Sequence, residues 1–234
     1  MRIYGRNVVT SALENNEEIS KIYLQNGFHD NYILSLIEKK NVSVNYLPKE
    51  KMNRMTDSIH QGIIAEVKDY EYACLDDVIK ENGFLVILDH LEDPHNFGAI
   101  IRTCEAAKVD GIIIPKNRSV SVNSTVIKVS TGAIDNMKIV SVTNLNQTIE
   151  TLKKNNYWIV ATDMEGEDYT KIDYTGSIAI VIGNEGNGVS DLVLKNSDFI
   201  ASIPMRGTTN SLNASVATGI VVFEALKCRS KNGL

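Results

Sequence analysis

Two glycine- and asparagine-rich turns in the last third of the sequence carry residues suited to a ligand site. They are IVIGNEGNGVS (180–190) and IPMRGTTNSLNASVATGI (203–220), and each leads from an apolar run into a helical pattern. Glycine permits positive φ and close backbone approach, so the first turn predicts a site built largely from main chain. Its central Glu185 disfavours a phosphate cradle, because anion sites use exposed N–H groups. The turns therefore favour a small ligand that is neutral or partly cationic.

A third candidate is Arg102, which follows the apolar run FLVILDH and the polar residue Asn96. Gly98 lies one helical turn before Arg102 and predicts a bare surface beside the guanidinium. An arginine near the carboxyl end of a strand in an open α/β sheet stands where ligands usually bind. An ion pair with Glu105 or Asp93 on the helix surface explains the residue equally well.

The histidines and cysteines are weaker candidates. His90 and His95 bracket the strand-to-helix turn and suggest a metal ligand or a general base, but neither has partners at zinc-ligand spacing. Hydrogen-bonded structural roles explain them better. Cys74, Cys104 and Cys228 are widely spaced and odd in number, which is typical of reduced thiols.

Composition sets broad limits. The chain has 234 residues, is 43% hydrophobic and carries a formal net charge of −5, which is ordinary for a globular protein with a core. No apolar run reaches the length of a membrane span, and the N-terminus lacks an apolar signal core, so we expect a cytoplasmic protein. The acidic total does not indicate a nucleic-acid binder, but local basic patches can still bind phosphates.

The pattern of elements predicts an α/β protein with two domains. Residues 1–68 alternate short helices and strands, residues 69–78 form an acidic, tyrosine-rich linker, and residues 79–234 form a larger domain. Runs that are apolar on both faces are typical of a parallel sheet covered by helices. The predicted strands of the larger domain are 84–90, 111–115, 138–142, 157–162, 178–183 and 199–204.

The last helical segment is apolar almost all round. Asn213 is a natural N-cap for it, and Ser211 and Asn213 flank Leu212, so we expect the leucine to pack away from the two polar side chains. A helix without a polar face must be buried, either in the domain core or at a subunit interface. The segment therefore makes a homodimer plausible.

The first domain contains one small basic group. Lys49, Lys51 and Arg54 follow a proline at a predicted helix start and are candidate phosphate contacts. Glu50 and Asp57 are interleaved with them, so an ordinary solvated helix face is the alternative.

Taken together, these segments resemble the SpoU/TrmH family of the SPOUT superfamily, which are S-adenosylmethionine-dependent RNA ribose 2′-O-methyltransferases. The first motif of the family is matched by the stretch from Asp93 to Thr103, and the other two by residues 180–190 and 203–220, in the expected order. KVSTGA (128–133) is also similar to a family segment. At the front, YGRNVVTSALE and HQGIIAEV resemble the substrate-binding domain of the RlmB branch.

The resemblance implies a fold, a cofactor and partners. The fold is a C-terminal parallel sheet flanked by helices and containing a trefoil knot, preceded by a small α/β RNA-binding domain. The cofactor is S-adenosylmethionine and no metal is implied. The substrate is a guanosine ribose in the peptidyl-transferase region of 23S rRNA, with tRNA as the alternative, and the enzyme is a homodimer through its C-terminal helix.

The resemblance also implies roles for individual residues. The backbone of Gly183, Ile203 and Leu212 contacts the cofactor. The implied catalytic residues are Arg102, Asn96, Glu185, Ser211 and Asn213, with Glu185 paired to an arginine or holding its loop. Family positions that differ here, such as Cys104, Lys108 and Ala214, are not polar motif residues.

Two other functions compete with this hypothesis. A catalytically silent rRNA-binding assembly factor is disfavoured by the intact polar residues of the three motifs. A dinucleotide-dependent α/β enzyme is disfavoured because no G-x-G-x-x-G follows the first strand with an acidic residue about 20 positions later.

Overall fold

A computed structural model describes residues 2–15, 17–56, 59–209 and 211–233. The chain divides into two compact units, the first made of Met1–Glu71 with Asn123–Lys128 and the second of Tyr72–Val122 with Val129–Leu234. Each unit is described by itself.

The first unit is a four-stranded sheet with short helices. Its elements are β1 Arg2–Tyr4, α1 Arg6–Glu14, β2 Ile19–Gln25, α2 Asn31–Lys39, β3 Val44–Leu47, α3 Lys49–Asn53 and β4 Ile63–Val67. The strand order is β1-β4-β2-β3, with β4 antiparallel to both of its neighbours and β2 parallel to β3. Ile22, Leu24 and Ile63 are fully buried in the core of this unit.

The second unit is a six-stranded sheet with helices. Its elements are β5 Phe84–Leu88, α4 Pro94–Ala106, β6 Gly111–Pro115, β7 Ile139–Val142, α6 Leu145–Lys154, β8 Tyr157–Asp168, β9 Ser177–Ile182, α7 Asp191–Asn196, β10 Phe199–Ser202 and α8 Ala214–Lys231. Helix α5 Ser124–Ser130 is divided, because its residues up to Lys128 belong to the first unit and Val129 and Ser130 to the second. The strand order is β10-β8-β9-β5-β6-β7, and all five pairs are parallel. The predicted parallel sheet is confirmed.

Both faces of this sheet are buried at its centre, which explains why the central strands β5 and β6 are apolar at nearly every position. Leu85 and Ile87 pack with Ile149 and Leu152 of α6 on one face. Val86, also fully buried, points to the opposite face because successive side chains of a strand alternate. Helices α4 and α8 pack against each other, and α8 contacts β9.

The sequence prediction missed one strand entirely and ended another much too early, whereas the other strands of the second unit differ by at most two residues at an end. β1 was not predicted, because only one of its three residues is buried and the run is too short to show a period. β8 continues six residues past 162 through a polar stretch to Asp168. The extension pairs with β10 across a register shift, and Gly166 lies against the backbone of Ile200. Apolar periodicity cannot show a strand of this kind.

The segment 69–78, the predicted linker, contains some regular structure. Ala73 forms a parallel bridge with Val140, and Leu75–Asp77 form a single 3-10 turn. No helix among the described residues is long and apolar enough to cross a membrane.

Candidate functional site

The site residues lie at the carboxyl ends of the strands β5, β9 and β10. Because parallel strands end at the same edge of a sheet, the three turns that follow these strands meet there. The first turn leads into α4, whose start is fixed by Asp93: its carboxylate accepts the N–H of His95 at 2.9 Å, and Pro94 occupies the first helical position. These caps place Asn96 in the first turn of α4 and Arg102 near the helix middle.

The prediction for Gly98 is wrong. A Cβ at this position lies 2.6 Å from the Cβ of Val129, so Gly98 is buried and allows close packing of α4 on the last residues of α5. The guanidinium of Arg102 is nevertheless exposed. It makes no hydrogen bond or ion pair within the described parts of the chain, so the alternative of pairing with Glu105 or Asp93 is not observed.

The second turn folds back on itself. Asn184 and Gly188 exchange two backbone hydrogen bonds of 3.0 and 2.9 Å, and a Cβ at Gly183 falls 2.1 Å from the carbonyl carbon of Gly188. Gly188 has a φ of 68°, which favours glycine. The side chain of Asn184 accepts the N–H of Gly186 at 2.8 Å and donates to the carbonyl oxygen of His90 at 2.8 Å. The glycines therefore close the turn and leave the Glu185 side chain projecting from it.

The third turn ends at Asn213, which caps α8 as predicted: its side-chain oxygen accepts the N–H of Ser215 at 2.9 Å. Ser211 and Leu212 both line the cavity described below. The expected opposite orientation of the Leu212 and Ser211 side chains stays a prediction.

A chain of side-chain hydrogen bonds joins the three turns. The amide nitrogen of Asn96 donates to Glu185 Oε1 at 2.7 Å, and its oxygen accepts from the amide nitrogen of Asn213 at 2.9 Å. Asn96 is only 8% exposed, and the carboxylate can only accept, which fixes the orientation of the amide. The arginine partner expected for Glu185 is not found among the described residues, and Asn96 takes that place.

A cavity of about 400 Å³ opens beside this network, and we call it the acidic cavity. Two of its residues, Asp163 and Glu185, carry carboxylates, and no lysine, arginine or histidine is among its described residues. Its lining comprises Thr162, Asp163, Met164, Ile182, Gly183, Asn184, Glu185, Gly186, Asn187, Gly188, Ala201, Ile203, Met205, Ser211, Leu212, Ala214 and Ala217. Backbone, apolar side chains and negative charge suit a small ligand that is apolar in part and cationic in part.

The structure thus brings together Gly183, Glu185, Ile203, Ser211 and Leu212 from the predicted site. The sequence prediction missed the residues that β8 contributes to the cavity near its middle, which are Thr162, Asp163 and Met164. A polar residue directly after the apolar run YWIVAT was the available signal for Asp163.

Arg102 lies elsewhere on the same unit. Asn96 and Arg102 are six residues apart, which places them about 120° apart around α4. Arg102 lines a shallow depression of about 800 Å³, which we call the arginine depression. The residues that form it are Ala99, Arg102, Thr103, Glu105, Ala106, Thr131, Gly132, Ala133, Asn136 and Phe223. None of these described residues also lines the acidic cavity.

His90 has a structural contact, whereas His95 is bonded to Asp93 only through its backbone N–H. Asp89, which is 1% exposed, accepts from the backbone N–H and the hydroxyl of Ser190 at 2.7 Å each and contacts His90 Nδ1 at 2.6 Å. This cluster ties the end of β5 to the end of the second turn. No group of three potential metal ligands occurs in the described ranges. Burial raises the pKa of the Cys104 thiol, so it is a poor nucleophile.

In the first unit, Lys49 and Lys51 lie on α3, and Arg54 is its C-cap. All three residues are exposed. Their side chains have no ion pair or hydrogen bond with another described residue. Asp57, the acidic neighbour considered above, lies outside the described residues.

The fold and the site define an α/β enzyme with a small-ligand cavity at the carboxyl edge of a parallel sheet. The chain belongs to the SpoU rRNA Methylase family, whose model matches residues 83–223. A second model, RNA 2′-O ribose methyltransferase substrate binding, matches residues 2–73. The resemblance to the SpoU/TrmH family is confirmed.

Similar proteins extend over nearly the whole chain. A protein of Staphylococcus saprophyticus assigned to the TrmH family of tRNA/rRNA methyltransferases is 44% identical, with 99% of this chain and 97% of the relative covered. A Bacillus subtilis protein of the same assignment, YacO, is 39% identical, again with 99% of this chain and 97% of the relative covered. The structure of an AdoMet-bound rRNA methyltransferase from Sinorhizobium meliloti is 26% identical, with a TM-score of 0.65 over 97% of this chain and 86% of that chain.

Proposed function

We propose that this protein transfers a methyl group from S-adenosylmethionine to the ribose 2′-hydroxyl of a guanosine in 23S rRNA, as in the RlmB branch. Membership of the family supports RNA methyl transfer. The single observation that carries the proposal is the network of Asn96, Glu185 and Asn213 beside the acidic cavity, because it assembles all three family motifs at one ligand site.

The acidic cavity fits the cofactor. Its volume of about 400 Å³ lies in the usual range of about 300–1,000 Å³ for small-molecule sites. Ile203 and Leu212 offer backbone and apolar contact for the adenosine, and Gly183 admits close approach of the main chain. The carboxylates of Asp163 and Glu185 match the positive charge of a sulfonium compound. A solved relative from Sinorhizobium meliloti binds AdoMet.

The chemical step needs alignment and removal of one proton. When bound, S-adenosylmethionine supplies an activated methyl group, so the ribose oxygen gains a bond to carbon while the sulfur keeps the electron pair of the broken bond. Correct positioning contributes up to about 7–11 kcal/mol to such steps. Glu185, fixed by Asn96, and Ser211 shape the side of the cavity where the ribose enters.

Arg102 binds the phosphate next to the target ribose and orients the sugar. An arginine is a poor general base because it stays protonated at neutral pH. The hydroxyl proton therefore leaves through the neighbouring phosphate. Since Arg102 lines the arginine depression and not the acidic cavity, we infer that the complete active site also needs a second copy of the chain.

Helix α8 offers the surface for that second copy. Thr218, Val221 and Ala225 are buried within the unit, whereas Val216 is 50% and Phe223 47% exposed. Phe223 also lines the arginine depression. Exposed apolar side chains on a terminal helix favour a protein interface, and homodimerisation through α8 covers them while bringing the partner against Arg102.

We also propose that the second unit contains the trefoil knot implied by the family. Membership of the family and the parallel sheet of the second unit support it, and the knot involves the second and third turns. A crystal structure traced through residues 180–220 tests it, and an unthreaded trace contradicts it.

RNA recognition falls to the first domain, proposed as residues 1–68 and joined by a linker at 69–78. The match to the substrate-binding model supports it. Replacing Lys49, Lys51 and Arg54 together by alanine is expected to weaken RNA binding and to lower the slope of log affinity against log salt by about one for each phosphate that is no longer neutralised. The exposed Lys39→Ala variant is the control, and an unchanged salt slope in the triple variant contradicts the assignment.

The substrate is decided by mapping 2′-O-methylated nucleotides in ribosomal and transfer RNA from cells with and without the gene. Loss of one guanosine methylation in 23S rRNA is the expected result and agrees with a cytoplasmic enzyme. Loss in tRNA instead identifies the family alternative, which the names of the relatives also allow. No loss, together with purified protein that binds rRNA but transfers no methyl group, identifies an assembly factor.

A further inference from the structure

The acidic cavity contains one charged residue, Asp163, that has no part in the alignment or proton removal described above. Asp163 follows the buried part of β8, lines the cavity together with Glu185, and is partly exposed. Its Oδ1 accepts the N–H of Glu165 at 3.0 Å. Neither an ion pair nor a second hydrogen bond engages its carboxylate within the ranges that the structure describes.

No basic side chain of the described lining balances the negative charge of the acidic cavity. Its described lining holds two carboxylates and no basic side chain, although the carboxylate of Glu185 is hydrogen-bonded to Asn96. Removing such a charge changes the binding of a cation much more than the binding of a neutral group of similar shape. The methyl donor and its product differ in this way, because transfer converts a sulfonium into a neutral thioether while the ammonium and the carboxylate of the amino-acid part remain.

We propose that Asp163 is a specificity-determining residue that makes the acidic cavity prefer the cationic methyl donor over the neutral demethylated product. The inference rests on the proposed function, because it takes S-adenosylmethionine as the ligand of this cavity. Its consequence for turnover is that the product is held less tightly than the donor, so the neutral thioether leaves and the cavity refills.

The test is a calorimetric titration of the full-length protein with three probes: S-adenosylmethionine, S-adenosylhomocysteine and sinefungin, which carries a protonated amine near the position of the sulfonium. The variant Asp163→Asn keeps the size of the side chain and an oxygen that can accept from Glu165. We expect it to weaken S-adenosylmethionine and sinefungin binding by about fivefold and to leave S-adenosylhomocysteine within about twofold. The loss of affinity for these two cationic probes should be smaller at high salt, because salt screens the charge.

The matched control is Asp173→Asn. Asp173 is an exposed aspartate whose Oδ1 accepts the N–H of Thr175 at 2.9 Å, so it has the same local turn, but it does not line the cavity. All three affinities should be unchanged in this control. Retained S-adenosylhomocysteine binding in Asp163→Asn shows that the cavity is intact.

The outcomes separate the two proposals. If Asp163→Asn weakens all three probes equally, the residue binds a group that they share, such as the ribose or the ammonium, and the inference is overturned. If no affinity changes, it is overturned as well. If the wild-type protein binds none of the probes, the cofactor assignment fails before Asp163 is in question.

Discussion

The acidic cavity and the arginine depression lie on the same unit but are built in opposite ways. Beside the cavity, side chains from three turns are joined by hydrogen bonds, because Asn96 bonds to both Glu185 and Asn213. In the depression, Arg102 is exposed and without a described partner, next to the half-exposed Phe223. The acidic cavity is therefore pre-organised by contacts within one chain, whereas Arg102, which we propose to bind RNA, has no partner among the described residues.

The largest effect is expected for Arg102→Ala. We expect methyl transfer to fall about 10³-fold, as on loss of one charge-stabilising donor, while the affinity for S-adenosylmethionine stays within about twofold because the residue does not line the cavity. Single-turnover rates and calorimetry measure the two quantities. The exposed Lys195→Ala on α7 is the control. A tenfold loss of cofactor affinity contradicts the separation of the two sites.

The second prediction concerns the apolar strip of α8. Replacing Val216 and Phe223 by glutamate is expected to weaken homodimer association about 100-fold or more, because desolvated apolar anchors dominate interfaces. Sedimentation velocity measures it, and cofactor affinity should persist. Leu192→Glu on α7, which also replaces an exposed apolar residue, should leave association intact. A double variant that associates like the wild type rules out this interface.

The third prediction concerns the second turn, which closes beside the acidic cavity. Gly183→Ala forces a Cβ to 2.1 Å from the carbonyl carbon of Gly188, so the second turn must open. Overpacking of this kind costs about 1–3 kcal/mol, and a cost near the lower end of that range corresponds to a loss of cofactor affinity of about tenfold. At Gly207 the nearest atom to an added Cβ is 4.0 Å away, so Gly207→Ala is the matched control. Equal affinities for the two variants would show that the closed turn is not needed for binding.

The smallest effect is expected for Asn213→Ala. Loss of the helix cap costs about 1 kcal/mol of unfolding free energy, and Asn96 loses a partner, so cofactor affinity should fall about threefold. Asn144 caps α6 through Gln147 N–H in the same manner but lies outside the cavity lining. Asn144→Ala should therefore reduce stability equally and leave affinity unchanged. Identical affinity changes in the two cap variants would mean that the network does not support the cavity.

Local signals predicted much of the second unit. The N-cap role of Asn213 followed from residue type and position, and the parallel sheet followed from strands without a polar face. Features that depend on the packing of distant segments were missed or wrong. Gly98 was expected to open a surface, but Val129, 31 positions later, fills it. Asp163 was missed because it begins the second half of β8, which lacks apolar periodicity.

The sequence by itself determined which residues are available for chemistry and the family to which they belong, because caps, strands and motif spacing are encoded within a few neighbouring positions. Only the tertiary structure decided which of them meet. Asn96 contacts Glu185 across 89 positions and Asn213 across 117, and these contacts depend on strand order. The same strand order and the turn of α4 separate Arg102 from the acidic cavity, since six helical residues rotate a side chain onto another face.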